Sequence, residues 1–340
     1  MRHHILAVLL VAMTFSAAGT QTGRAETSQT GTAQPAEKVT SKPIAIYSQG
    51  VRLAGDIWTP PGATVDQKRP AILMMHGFGG KKDELNRLYA SKFAAQGYYV
   101  LTFDYRGFGE SDGDLLPTGE MPKGRDKEFE VKVREVRNVV NAINQYQDIE
   151  AALSYLKGEP GVDADMLAVW GTSLGGGLAL KTAVAYPEIK VLIAQVAAFD
   201  MMPFYTGNPK TSPAHPDNID TWRTAIARGA APFLPGEKLY IKFSEHHQGY
   251  AHSVVNFFHE PLKNVEKLRA ATLIIDVENE ELFDVKQQGV LLFDRIKDRT
   301  KARYEMLPAV SHFKVYENPE TVAAVLALQV AWLKEHLPVK

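Results

Sequence analysis

The sequence predicts an α/β fold, a mostly parallel sheet flanked by helices, with a helical insertion in its second half. Three observations predict it. Apolar runs of strand length alternate with helical segments from Ala71 to the C-terminus, and strands buried on both faces of a parallel sheet read as such continuous runs. One strand-to-helix junction, Met166 to Val184, carries the string Gly171-Thr172-Ser173-Leu174-Gly175. The alternation then breaks between Val196 and Thr272 and resumes afterwards.

Composition bounds what such a chain can do. At 340 residues it accommodates one core with insertions, and 45% apolar content supplies the interior. A net charge of −1 lacks the basic stripe that nucleic acid asks for. The absence of cysteine excludes a disulfide scaffold, a thiolate nucleophile, a cysteine-based zinc site and a lipidated cysteine.

Taken in order, residues 1–25 read as a signal peptide. Arg2, His3 and His4 form a polar start, Ile5 to Ala18 is apolar, and Ser16, Ala17, Ala18, Gly23 and Ala25 offer cleavage points. The apolar stretch is short for a bilayer span, so no stable membrane anchor is expected. Residues 26–43, rich in Thr, Gln, Ser and Ala, read as a disordered linker. The mature protein is therefore expected to be exported, periplasmic or secreted. The core is expected over 44–198 and 269–340, with the insertion at 199–268.

Ile44 to Trp58 reads as an antiparallel hairpin turning at Gln49-Gly50. The strand Ala71–Met75 ends in His76-Gly77-Phe78-Gly79-Gly80. Asp83 to Ala95 follows as an amphipathic helix, with Leu85, Leu88 and Phe93 inward and Gly97 as its stop. Tyr98–Phe103 is a strand leading into Asp104-Tyr105-Arg106-Gly107, expected to be a tight turn held by an Asp–Arg pair. Leu115 to Asn144 reads as a surface excursion, charged at 123–128 and helix-like towards Asn144, before a core-facing helix from Asp148 to Leu156. Val191 to Val196 is the strand after the glycine-rich helix. The insertion holds many aromatics, among them Trp222, Tyr240, Phe243 and Tyr250, besides Met201, Met202, Phe204, Tyr205, Phe233, Phe257 and Phe258. His246, His247 and His252 come without a carboxylate pattern or an H-E-x-x-H string, so no metal is expected.

A Gly-x-Ser-x-Gly turn between strand and helix forces its serine into a strained backbone conformation and lifts the hydroxyl clear of the sheet. A Cβ at either glycine would collide with the neighbouring strand or helix. Ser173 is therefore the candidate nucleophile.

Together the His76–Gly80 loop, the Gly171–Gly175 elbow and the turn Pro308-Ala309-Val310-Ser311-His312 resemble the α/β-hydrolase superfamily, on the side of its dienelactone-hydrolase-like and acyl-esterase branches. The D-x-R-G-x-G-x-S string from Asp104 to Ser111 resembles it too. The resemblance covers roughly Ile44 to Leu337. It implies an oxyanion hole made by the backbone N–H groups of Phe78 and Leu174. It places the general base at His312, while His76 belongs to the oxyanion loop. His215, His246, His247, His252 and His259 fall in the insertion, which the family commonly uses as a cap whose aromatics line an acyl or aryl pocket. The acid follows the strand Ala271–Val277: Glu278-Asn279-Glu280-Glu281-Leu282 is similar to the family's G-E-x-D-x-L, which puts Glu280 where the aspartate stands. Glu278, Glu281 and Asp276 lie within reach in sequence.

The activity implied is that of a serine hydrolase cleaving carboxylic esters through an acyl-enzyme intermediate. Its partner would be a small-molecule ester, and it would need no cofactor and no metal. A serine peptidase of the same fold and a non-catalytic binding module stay open as alternatives.

Overall fold

The Gln49-Gly50 turn joins β1 (Thr40–Ser48) to β2 (Val51–Thr59), paired antiparallel from Thr40↔Thr59 to Ser48↔Val51. Both turn residues have positive φ, 50° and 88°, which gives the twist that a two-residue hairpin loop needs. The computed structural model describes residues 38–124, 128–199, 219–231, 234, 240–252 and 259–339. The expected signal peptide and residues 26–37 of the expected linker lie outside them. So do Met201, Met202, Phe204, Tyr205, His215, Phe233, Phe257 and Phe258. β1 begins at Thr40, so the end of the expected linker is strand: Thr40 to Pro43 pair with Asp56 to Thr59.

β3 (Arg69–Met75) is buried almost throughout. After the glycine loop, α1 (Lys82–Leu85) continues through a π turn (Asn86–Ala90) into α2 (Ser91–Ala94). The expected helix is thus widened in its middle. The widening falls where Asn86 is tied to β2 and to the following strand, by Trp58 Nε1 at 2.9 Å, Asp56 at 2.6 Å and Thr102 Oγ1 at 2.6 Å.

β4 (Tyr99–Phe103) leads into the Asp104 turn. No Asp104–Arg106 pair holds that turn. Asp104 accepts the backbone N–H groups of Lys82 (2.8 Å) and Glu110 (3.0 Å), whereas Arg106 turns away to Asp148 at 2.7 Å. The excursion is strand rather than helix over its described residues: β5 (Leu115–Pro117) pairs with β6 (Val133–Glu135), and β7 (Val139–Val140) follows. Its β-branched valines favour that outcome. Helix begins only at α3 (Ala142–Gly158), where Asn141 Oδ1 caps the Ile143 and Asn144 N–H groups.

β8 (Val162–Thr172), α4 (Leu174–Ala185) and β9 (Val191–Gln195) form the strand-turn-helix-strand unit around Ser173. In the insertion, α5 (Ile219–Ala227) precedes a hairpin of β10 (Tyr240–Lys242) and β11 (Gln248–Ala251). β11 pairs in parallel with β7, so excursion and insertion share one small sheet. The chain closes with β12 (Ala271–Asn279), α6 (Gly289–Ile296), β13 (Ala302–Ser311), α7 (Lys314–Glu317) and α8 (Pro319–His336).

The main sheet has eight strands in the order β1-β2-β4-β3-β8-β9-β12-β13. Its first two junctions are antiparallel and all later ones parallel. The period-two alternation of strand side chains divides the core into two layers. Leu73, Leu101, Val169, Leu192 and Ile274 face α3, α4 and α6. Ile72, Met74, Val100, Trp170 and Ile275 face α1, α2 and α8. Among the described residues no helix is long and apolar enough to cross a membrane.

Candidate active site

Ser173 stands between β8 and α4 with φ 53° and ψ −125°, outside the regions that L-residues normally occupy. Its backbone is held on both sides. Its N–H donates to Gln195 O at 3.0 Å, and its carbonyl accepts from Gly176 (2.9 Å) and Ala198 (3.0 Å). A Cβ on Gly171 would overlap the Gly175 carbonyl, and one on Gly175 would overlap the Met75 carbonyl. The two glycines are therefore required by packing, as the sequence pattern implies.

The His76–Gly80 loop runs from the end of β3 beside this elbow. A Cβ on Gly77 would stand 3.0 Å from Ser173 Cβ. Gly79, with φ +64°, lies directly against the backbone of Gln248 in the β10–β11 hairpin. His76 is buried, donates from Nδ1 to Gly77 O at 2.9 Å and packs on Tyr105 with ring centroids 4.4 Å apart. Burial pushes its pKa down to about 4, so its ring is neutral. Leu174 opens α4, and a first-turn N–H has no intrahelical acceptor.

His312 sits in the turn after β13, and Glu280 just beyond the end of β12. Glu280 Oε2 lies 2.8 Å from His312 Nδ1, with the two side chains 3% and 2% exposed. Glu280 Oε1 accepts the Leu282 N–H at 2.9 Å, which fixes the carboxylate. The neighbouring glutamates are exposed, but each is bound to backbone. Glu281 accepts the backbone N–H of His312 (2.8 Å) and Glu278 that of Ala309 (2.8 Å). Three glutamates thus tie one loop to the other, but Glu280 is the one that meets the imidazole. Asp276 is buried within β12 beside the Tyr304 hydroxyl. Burial pushes its pKa up to about 7, opposed by a hydrogen bond from Tyr304 and aided by the Glu280 charge.

Ser173 and His312 line one cleft with Phe78, Phe243, His247, Leu282, Phe313 and Tyr316. The cleft holds about 10 Å³, close to the space of one water molecule. A chamber of about 290 Å³ adjoins it, sharing His247, Phe313 and Tyr316. A wider groove of about 530 Å³ follows, sharing Glu84, Arg87 and His246 with the chamber.

His247 has no place beside Ser173 in the sequence reading, and Phe243 is not singled out there from the other insertion aromatics; both line the cleft. Phe243 meets Phe78 edge to face at 5.4 Å. His247 Nε2 lies 2.9 Å from Glu84 Oε2, and its Nδ1 lies 2.9 Å from Ser244 Oγ. Tyr316 is also in the wall, its hydroxyl 2.6 Å from Thr172 Oγ1. No local pattern announces these contacts, because they depend on β11 pairing with β7 across a long separation in sequence. Among the described residues no three His, Asp or Glu side chains are grouped as a metal site would need.

The sequence profile of the X-Pro dipeptidyl-peptidase (S15) family matches residues 49–232, a stretch that holds both the glycine loop and Ser173 and ends before Glu280. An uncharacterized 31.7 kDa protein of the Escherichia coli traX-finO intergenic region is 27% identical over 291 residues, covering 79% of this chain and 92% of its own. The thiohydrolase apmlB of Arthrinium phaeospermum is 31% identical over 166 residues, covering 49% of this chain and 47% of its own. The crystal structure of the Pseudomonas aeruginosa hypothetical protein PA2218 superposes with a TM-score of 0.64 at 18% identity, over 92% of this chain and 99% of that one. Strand order, elbow and family profile agree: the chain is an α/β-hydrolase and belongs to the X-Pro dipeptidyl-peptidase (S15) family.

Proposed function

We propose that the protein is a serine hydrolase that cleaves carboxylic esters through an acyl-enzyme intermediate. The observation that carries this reading is the buried His312–Glu280 pair, 2.8 Å apart, opening on the same cleft as Ser173 in its strained conformation. His312 takes the Ser173 proton as the hydroxyl attacks the ester carbonyl, and Glu280 holds the ring and stabilises the imidazolium. The Phe78 and Leu174 N–H groups receive the developing oxyanion, each contributing roughly 3 kcal/mol. Proton return from His312 to the alkoxide releases the alcohol. Water then attacks the acyl-enzyme by the same route in reverse.

Two measurements test it together: labelling of Ser173 by a fluorophosphonate, and turnover of small alkyl and p-nitrophenyl esters. Absence of label and of Ser173-dependent turnover would refute the reading and favour a non-catalytic binding module. A peptidase is the second reading, favoured by the S15 profile. Faster cleavage of aminoacyl and Xaa-Pro nitroanilides than of esters would select it. The thiohydrolase relative adds an acyl thioester to the panel.

We also propose that the 199–268 segment acts as the cap and that the mature protein is exported. The second proposal rests on the leader-like residues 1–25. N-terminal sequencing of protein recovered from cell fractions tests it, and an intact Met1 in the cytoplasm would overturn it.

A further inference from the structure

The chamber and the serine cleft share the walls His247, Phe313 and Tyr316. Two of those walls belong to the core. Tyr316 is anchored to Thr172 at 2.6 Å, and Phe313 directly follows His312. His247 alone comes from the β10–β11 hairpin, with its ring centroid 5.2 Å from that of Tyr316 and 5.8 Å from that of Phe313.

The ring is held at both nitrogens. Ser244 Oγ already accepts the N–H groups of His246 and His247, each at 3.1 Å. Its hydroxyl hydrogen therefore points to His247 Nδ1, leaving Nε2–H to donate to Glu84. Glu84 lies on α1, just after the glycine loop, and Gln248 rests on Gly79 of that loop. The imidazole is thus a fixed partition between about 10 Å³ at the serine and about 290 Å³ beyond it.

The chamber side of this partition can be assigned. The proton on His312 must be returned to the departing alcohol, so the leaving group lies towards the His312 turn, and Phe313 of that turn with Tyr316 of α7 beyond it wall the chamber. Phe78, Phe243 and Leu282 wall the cleft but not the chamber.

We propose that His247 is a specificity-determining residue which limits the size of the alcohol portion of the ester, by closing the serine cleft off from the adjoining chamber. The proposal rests on the hydrolase reading above and names the substrate class of that same site: esters of small alcohols.

Acetate esters test it, because every one passes through the same acetyl-enzyme and differs only in acylation. The quantity measured is the ratio of kcat/KM for benzyl acetate to that for ethyl acetate, by acetate release. His247→Ala is expected to raise the ratio by about tenfold or more, the scale on which pockets discriminate single carbon groups. Glu84→Ala, which leaves the ring but unties it, should raise it in the same direction by less. His247→Phe, which refills the partition without its hydrogen bonds, should keep the ratio within about threefold of the parent protein, well below that scale. A disturbance of the triad would slow both esters alike and leave the ratio unmoved. An unchanged ratio in His247→Ala, or in Glu84→Ala should the first variant not fold, overturns the proposal provided Ser173→Ala abolishes turnover of both esters. If Ser173→Ala keeps that turnover, the hydrolase reading itself fails instead.

Discussion

Glu280 Oε2 meets His312 Nδ1 at 2.8 Å, and both groups are almost sealed from water. Among the described residues no other carboxylate makes an ion pair with that ring. Glu278 and Glu281 serve backbone N–H groups instead, and Asp276 is shut inside the strand. Glu280→Gln should therefore lower kcat by roughly 10⁴, since the amide keeps the shape but not the charge that stabilises the imidazolium. Glu278→Gln and Glu281→Gln retain an acceptor oxygen and should stay within about 0.5 kcal/mol of the parent. Steady-state kinetics on the four acid variants, Asp276→Asn included, decide the matter. A crippled Glu281→Gln beside an active Glu280→Gln would overturn the assignment.

Ser173→Ala should lower kcat by about 10⁶ with the fold kept, because the side chain is only part-buried and packs little. Ser173→Gly goes further. Its φ of 53° with ψ −125° is strained for serine and open to glycine, so this variant should be inactive yet more stable by about 1 kcal/mol. Thermal melts read the gain, and an unchanged or lowered Tm would count against stored strain at the elbow.

Much of this site is legible in the chain because its parts are local. The elbow is a five-residue string whose glycines are fixed by contacts within the motif and to the neighbouring β3 carbonyls. The glycine loop and the histidine turn each follow directly from a strand that reads as one. What escapes is non-local. Arg106 forgoes its neighbour Asp104 for Asp148 on α3, because Asp104 is already satisfied by two backbone N–H groups. His247 reaches the cleft through pairing of two short, polar-flanked strands far apart in sequence. The polar run towards Asn144 reads as helix until its valines are placed in strands.

Arg106 Nη2 and Nε both donate to Asp148 Oδ1, at 2.7 and 2.9 Å, while Oδ2 accepts the Arg106 backbone N–H at 2.9 Å, with the aspartate side chain fully buried. Arg106→Leu leaves that carboxyl in the core without its partner and should cost about 3–5 kcal/mol. The double variant Arg106→Leu with Asp148→Leu should recover a large part of the loss, since no buried charge is left uncompensated and Asp114, which also loses Arg106, is partly solvent-exposed. Urea unfolding of the parent, the single and the double variant measures it. A double variant no better than the single one would mean that the pair contributes net stability.

Asp276 gives a prediction in pH. Its folded pKa is raised from 3.8 to about 7, chiefly by burial, against a hydrogen bond from Tyr304. The folded protein therefore holds a proton that the unfolded chain has released, and stability falls as pH rises from about 4 to 7. Asp104, raised by burial to about 6, works in the same direction. His76 and His259, lowered by burial to about 4 and about 3, work against it, adding stability as pH rises towards 6.5. The difference between Asp276→Asn and the parent isolates the one group. Three pH units at 1.36 kcal/mol each set its full effect on the order of 4 kcal/mol. Relative to the parent, Asp276→Asn should gain stability between pH 5 and pH 8 by a sizeable part of that amount. Chemical denaturation of both proteins at the two pH values reads the change. Parallel losses in both would mean that Asp276 is ionised throughout and that its burial is compensated by contacts other than those described.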